Sequence, residues 1–563
     1  MSRLVWLVMV GAALLVGCAE NGASAPAVPA PAVPAARFDL VDVAAERGIE
    51  SLLVNGASPA HYMIETMLGG LAWIDHDGDG DLDLYIAQGH EDPLHGDQPG
   101  AVANRLFVND GEGRFHEAEG AAGAGDHRYS HGVAVGDIDG DDDADLLVTN
   151  FGRNTLYENR GGEFTDITVE AGLVEEGYNM SASFFDMDRD GDLDLYVVRY
   201  LEYLPATARP CQHGEQIVYC GPRFFDGQHD LLYRNLGENR FEEISVESGI
   251  TAQSPGKGLG VLTTDLDADG WIDVYVANDT TPNLVWRNLG DGTFEDMGAI
   301  SGLALSAEGK AQAGMGVDWG DVNADGMKDL IVTNFAKEKN SLYLGQAGGF
   351  YSERSGAARL GSTFEPLGFG VALADFDLDG ALDLVVANGH VDNMVETHGK
   401  GSADQYAQKI SLFFGDGDGR FTPVSPAECP MLGQRRVGRG LAIADFDNDG
   451  DHDIALQPIG SPLLLFENRA PREGRHWIRL RLIGTASPRD GKNAQVIVTA
   501  GGRTRRFEAQ SGRSYLSGSD PRVLIGLGEI STIESIRVLW PSGLTQDLGG
   551  LEVDREHSIV EAP

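Results

Sequence analysis

Short runs of apolar, strand-forming residues recur in groups of four along most of this chain. "GLGVLTTD" (258–265), "WIDVYVAN" (271–278), "NLVWRN" (283–288) and "TFEDMG" (293–298) make one group. Each run is rich in β-branched and aromatic residues over strand length. "LGDG" between the last two has the composition of a hairpin turn. The third and fourth runs recur as "LFVNDGEGRFHEA", "LYENRGGEFTDI", "LYRNLGENRFEEI", "LYLGQAGGFYSE" and "LFFGDGDGRFTPV". Four antiparallel strands per unit, repeated around the chain, predict an all-β fold: a seven-bladed β-propeller, followed by a small C-terminal β-domain.

Between the first and second strands of every unit the pattern turns acidic. "DHDGDGDLD" (75–83) is followed by "DIDGDDDAD" (137–145), "DMDRDGDLD" (186–194), "DLDADGWID" (265–273), "DVNADGMKD" (321–329), "DFDLDGALD" (375–383) and "DFDNDGDHD" (445–453), roughly 50 to 80 residues apart. So many like charges need a cation among them. The spacing matches the first nine positions of an EF-hand loop, but position 12, a bidentate Glu in an EF-hand, is apolar here, and a strand follows instead of a helix. Side-chain oxygens are expected from positions 1, 3, 5 and 9 and a backbone carbonyl from position 7. The donors are then Asp75, Asp77, Asp79 and Asp83 with Asp81; Asp137, Asp139, Asp141 and Asp145 with Asp143; Asp186, Asp188, Asp190 and Asp194 with Asp192; and Asp265, Asp267, Asp269 and Asp273 with Trp271. The remaining three loops offer Asp321, Asn323, Asp325 and Asp329 with Met327; Asp375, Asp377, Asp379 and Asp383 with Ala381; and Asp445, Asp447, Asp449 and Asp453 with Asp451. Up to seven Ca²⁺ ions are expected. Asp142 takes the place of the position-6 glycine, and Asp tolerates the left-handed backbone that position requires.

Two further patterns bear on the ring. Five residues before each first aspartate stands a small residue: Gly70, Gly132, Ser181, Gly260, Gly316, Gly370 and Gly440. That suits strands crowded round an axis. The last unit ends at "LLLFENRA" without a fourth strand, while an orphan fourth strand, "RFDLVDVAAERGI" (37–49), precedes the first unit. Pairing the two would close the ring and remove its exposed edges.

The 563 residues carry a net charge of −45, which makes nucleic acid and anionic membrane surfaces poor partners. The N-terminus "MSRLVWLVMVGAALLVGC" has a basic start, an apolar core and the lipobox-like Leu15-Val16-Gly17-Cys18. It predicts a lipoprotein signal peptide over 1–17, lipidation of Cys18 and a Pro/Ala-rich tether over 18–36. The expected location is the bacterial cell envelope, at the outer membrane, with the membrane touched only through this anchor. Cys211 and Cys220 in "RPCQHGEQIVYCGP" read best as a disulfide in an exported chain. A metal pair would lack further Cys or His ligands at suitable spacing. Cys429 has no evident partner.

These repeats resemble the FG-GAP or VCBS repeats of integrin α-chain propellers. With "HWIRLRLIG", "VIVTAGG", "GRSYLSGSD", "VLIGLGE" and "IRVLWPSGLTQ" near the end, the chain resembles the bacterial cartilage-acidic-protein-like family, which carries a C-terminal ASPIC/UnbV domain. The domains are then a propeller over 37–470 and an ASPIC/UnbV-like β-domain over 471–563. The resemblance implies calcium binding, export and a binding or adhesion role.

No nucleophile elbow, zinc-protease helix or phosphate loop is present. The expected function is a monomeric, calcium-stabilised surface module that recognises an extracellular glycan or protein ligand. The alternative is a propeller enzyme, a lyase or hydrolase acting on polysaccharide or another polymer; a structural envelope component is a third reading. Ligand is expected on the face opposite the acidic loops, round the mouth of the central channel, with the acidic face devoted to metal. Two long second-to-third-strand connections, 199–229 and 389–409, lie there with His90, Arg199 and His390.

Overall fold

The structure, a computed structural model, describes residues 37–92, 102–204, 210–395 and 405–563. The expected signal peptide, Cys18 and the tether lie outside the described residues, as do parts of both long connections.

Seven antiparallel sheets follow one another, each with its first strand innermost. Blade 1, for example, runs Leu71–Ile74, Asp83–Ile86, Arg105–Asn109 and Phe115–Glu117. Blades 2 and 3 are joined by pairing of Glu176–Tyr178 with Phe151–Arg153. Blade 7 takes Arg435–Ala444, Asp453–Ile459 and Leu464–Asn468 from the end of the array, and its fourth strand is Leu40–Asp42, paired with Phe466–Asn468.

The first strands form a closed ring, and the small residues explain how. A Cβ on Gly70, Gly132, Gly260, Gly316, Gly370 or Gly440 would lie 2.1–2.8 Å from a carbonyl oxygen on the next first strand or just before it: that of His131, Met180, Met315, Phe369, Arg439 or Gly69 respectively. Ser181 completes the cycle by donating its hydroxyl to Leu259 O at 2.7 Å. Backbones approach so closely that no larger side chain fits. Outside this ring each blade pair shares an apolar cluster, such as Leu147, Leu156, Phe184 and Leu195 between blades 2 and 3.

A second lock joins the blades at the acidic loops. The carbonyl at loop position 2 always accepts a hydrogen bond from the following blade. Five donors are the Nδ2 of a third-strand Asn (Asn109, Asn159, Asn235, Asn288, Asn468), at 2.7–3.0 Å. Blades 5 and 6 have Gly345 and Gly415 at that place. There Tyr351 Oη reaches Leu266 O at 2.9 Å, and Gly419 N reaches Val322 O at 3.0 Å. Three chemistries thus satisfy one buried acceptor, which would be costly to leave unpaired.

The C-terminal domain has two sheets, of three and four strands, over a core that includes Ile478, Val496, Ile525, Val538 and Trp540. It does not stand apart. Residues 510–520 leave it and run up the propeller axis, touching the first strand of every blade. Gln510 bonds Thr263 O; Ser514 bonds Val317 and Val371; Leu516 bonds Ser181 and Val133; Gly518 bonds Leu71 and Trp73; Ser519 and Asp520 bond Ile443. Tyr515, wholly buried, donates its hydroxyl to Met67 O at 2.6 Å. The channel is therefore filled from the loop side. The expectation that the acidic face serves metal alone is corrected: it is shared with this domain, through Arg489–Asp142, Arg479–Asp445 and the bond from Arg505 to Gly380 O.

Gly260→Ala should lower stability by about 2–3 kcal/mol, the cost of overpacking against a rigid backbone; an unchanged denaturant midpoint would mean that the ring can dilate. Deleting residues 37–49 should expose the edge of Leu464–Asn468 and give aggregation or a much lower melting temperature, read by light scattering and calorimetry. A monomer with an unaltered melt would show that the N-terminal strand is dispensable.

Candidate functional site

All seven acidic loops adopt one geometry. The position-1 aspartate accepts the N–H of position 6 at 2.8–3.2 Å. Position 6 is left-handed throughout, with φ from 77° to 96°, and Asp142 adopts it as the glycines do. Position 4 is left-handed as well, at φ 54–77°, although Arg189, Ala268, Ala324, Leu378 and Asn448 occupy it in five loops. A non-glycine residue there is strained by roughly 1 kcal/mol, a feature with no signal in the sequence pattern.

Position 9 is a structural clamp. One oxygen of Asp83, Asp145, Asp194, Asp273, Asp329, Asp383 or Asp453 accepts the N–H of position 2 at 2.8–3.3 Å. The other accepts an N–H of the third strand at 2.7–2.9 Å. In loop 1, Asp83 Oδ2 also meets His76 Nδ1 at 2.5 Å; in the other six loops each oxygen keeps a further lone pair for a cation.

The carboxylates converge as the spacing implied. Oxygens of Asp75, Asp77 and Asp79 lie within 4.8 Å of one another, as do those of Asp137, Asp139 and Asp145, of Asp186, Asp188 and Asp194, and of Asp265, Asp267 and Asp269. His76 joins Asp77 and Asp83 in a further group. Asp75 Oδ1, Asp188 Oδ1 and Asp265 Oδ1 are buried and accept no hydrogen bond. Burial, reinforced by neighbouring carboxylates, pushes Asp137, Asp186 and Asp445 up to about 7 and Asp145 and Asp375 to about 8. Clustered, desolvated hard oxygens fit a divalent cation: it would supply the missing positive charge and use the orphaned oxygens.

The opposite face holds a cavity of about 370 Å³. Its lining includes Met67, Tyr200, Tyr219, Asp279, Met315, Phe335 and His390. The hairpin Cys211–His213 and Gln216–Val218, closed by a Cys211–Cys220 disulfide, supplies one wall. Asp279 is buried there, held by the Tyr200 hydroxyl, and burial lifts its carboxyl to about 6. Tyr219 donates to Glu65 at 3.1 Å. Of the three residues expected at this mouth, only His390 lines the cavity. His90 is buried edge-on to Tyr129, and Arg199 binds the carbonyl of His229 at the end of its own strand. Asp279, Tyr200 and Tyr219 went unnoticed in the sequence because nothing in a strand-end "ND" or "RY" marks convergence in space. Cys429 is buried in the apolar cluster of blades 6 and 7.

A model of the FG-GAP-like repeat matches residues 75–148, 137–197, 265–332, 321–386 and 389–456, more than half of the chain. The chain belongs to the FG-GAP-like repeat family. An ASPIC and UnbV model matches residues 484–563 of this FG-GAP protein. Cartilage acidic protein 1 of Mus musculus is 25% identical over 497 residues, 84% of this chain and 70% of that protein. Among solved structures, similarity extends to the BP39L lectin from Burkholderia pseudomallei (TM-score 0.44, 11% identity, 72% of this chain and 96% of that one). The exotype rhamnogalacturonan lyase YesX is also similar (TM-score 0.36, 13% identity, 71% and 72%).

The raised carboxyls set a pH dependence. Their unfolded values lie near 3.9, so between about 4 and about 8 the metal-free native FG-GAP ring holds protons that the unfolded chain has released. Stability is then fully present below the unfolded value and lost as pH rises through the folded ones. Chelator-treated protein should melt progressively lower from pH 5 to pH 8; a flat profile would contradict the burial of these groups.

Proposed function

We propose that this protein is a calcium-stabilised, exported and lipid-anchored binding module of the bacterial cell envelope, whose ligand is an extracellular glycan. The observation that carries this reading is the aromatic-walled cavity opposite the loops. The faces of Tyr219 and Phe335 suit the apolar side of a sugar ring, and the carboxylates of Asp279 and Asp392 suit its hydroxyls. A channel plugged from below leaves this cavity as a blind pocket, which suits retention of a ligand more than passage through. Calcium is favoured over magnesium because the loops offer many protein oxygens and Mg²⁺ keeps more of its water in a strict octahedron. Export and anchoring rest on the leader and on Cys18.

Binding of calcium to the folded state alone must stabilise it. Melts in calcium should lie several degrees above melts in chelator, by differential scanning calorimetry; identical melts, with no calcium in the purified protein, would sink the metal reading. For the ligand, Tyr219→Ala should abolish retention on glycan arrays and leave the calcium-dependent melt unaltered. If retention survives that change and is lost on replacing exposed residues of 545–560, the ligand surface belongs to the second domain.

A further inference from the structure

The seven loops share one motif, yet their electrostatic surroundings differ. The side chain preceding the third-strand Asn or Gly differs in charge between blades. In blade 4 it is Arg287, whose Nε lies 2.8 Å from Asp267 and whose Nη2 lies 3.2 Å from Asp269. Those are positions 3 and 5 of the same blade's loop. In blade 3 it is Arg234, 3.7 Å from Asp188. In blade 2 it is Glu158, which shares the Nδ2 of Asn239 with Asp139 at 2.6 and 3.1 Å. Blades 1, 5 and 6 have Val108, Leu344 and Phe414 there.

Two other loops receive arginines from elsewhere in the chain. Arg37, just before the closing strand, lies 2.6 Å from Asp377, bonds Asp379 and stacks on Phe414 at 4.3 Å. In loop 7, Arg472 lies 2.8 Å from Asp451 and bonds Asp449, while Arg479 lies 2.6 Å from Asp445. Among the described residues, no Lys or Arg comes within 4.0 Å of the donor carboxylates of loops 1, 2 and 5, but in loop 1 the imidazole of His76 lies 2.5 Å from Asp83. Arg489 meets loop 2 only at Asp142, which is not a donor.

We propose that these basic side chains rank the loops as cation sites: loops 2 and 5 take calcium first, loops 1 and 3 next, and loops 4, 6 and 7 last. The inference rests on the calcium reading above. A guanidinium bonded to two donors both neutralises the charge that would attract the ion and repels the ion itself. It must swing away before the carboxylates can close on a metal. In loop 7 that would also break Arg479 from Asp445, a bond between the two domains, so this loop is held as a junction.

Trp271 stands at position 7 of loop 4 and provides a local antenna for terbium. Terbium luminescence excited through tryptophan, taken as the difference between the protein and its Trp271→Phe variant, reports loop 4 together with the adjoining loop 3, whose Arg189 stacks on Trp271 at 3.8 Å. The loop 4 component is the part that responds to Arg287→Leu. In the unaltered protein this component should appear only after the other sites have filled. In Arg287→Leu it should appear at about tenfold lower terbium, as expected for removing one nearby positive charge in a partly screened site. Should that variant fold poorly, Arg37→Gln serves instead: equilibrium dialysis with elemental analysis, at calcium levels that fill the first sites of the unaltered protein, should show one more bound ion. Seven equivalent calcium sites, or arginine variants with unaltered binding, would overturn the ranking. Absence of bound calcium in every variant would overturn the calcium reading with it.

Discussion

One buried carboxylate in each blade, the position-9 aspartate, carries an unusual share of the architecture. It accepts one N–H from its own loop and one from the third strand, and so fixes the loop against the sheet. The carbonyl beside the first of these N–H groups then accepts a bond from the next blade. Loop, blade and neighbour are coupled through a few atoms whose geometry repeats seven times. A carboxyl buried this deeply is costly unless it is well satisfied, which is why the acidic loops cannot be regarded as ornaments on a finished ring. Their conformation and the packing of the blades stand or fall together.

The second domain answers the same electrostatic problem from the other side. A face carrying so many carboxylates would repel any acidic partner. The C-terminal sheets bring Arg479, Arg489, Arg505 and Arg522 to it, and Lys492 donates to Val135 O at 3.0 Å. The second domain thus covers part of the acidic surface beside carboxylate clusters that could hold a metal. The axial segment adds backbone and hydroxyl groups that complete the hydrogen bonding of the innermost strands, and its Arg513 lies 3.7 Å from the buried Asp318.

Much of this was legible in the sequence, for a physical reason. Strand period, turn composition and loop spacing are local properties, so the sheets, the acidic loops and the small residue of each first strand could be read directly. Gly260 is an instance: crowding demanded it, and crowding is visible as an absent side chain. The pairing of Leu40–Asp42 with blade 7 was accessible because a missing strand and an orphan strand match. What escaped was the meeting of distant segments. "GRSYLSGSD" showed family character and gave no hint that it fills the axis. Tyr351 replacing an asparagine, and Asp279 facing a cavity with Tyr219, depend on folded proximity that periodicity does not encode. Topology sets Arg199 and His90 just beyond their second strands, and the directions of their side chains put them to work at a strand end and in the core.

The axial segment also constrains the order in which the molecule can be made. Residues 510–520 contact first strands contributed by every blade, from Leu71 to Ile443. The ring is closed meanwhile by a strand at residues 40–42 pairing with one at 466–468. Residues 40–42 and 510–520 are therefore both needed before the ring is closed and its innermost hydrogen bonds are complete. Contacts so remote in sequence make folding slow and leave intermediates exposed. A partly synthesised chain can form individual blades, but it holds an open, unplugged arc until residues 510–520 have emerged from the ribosome.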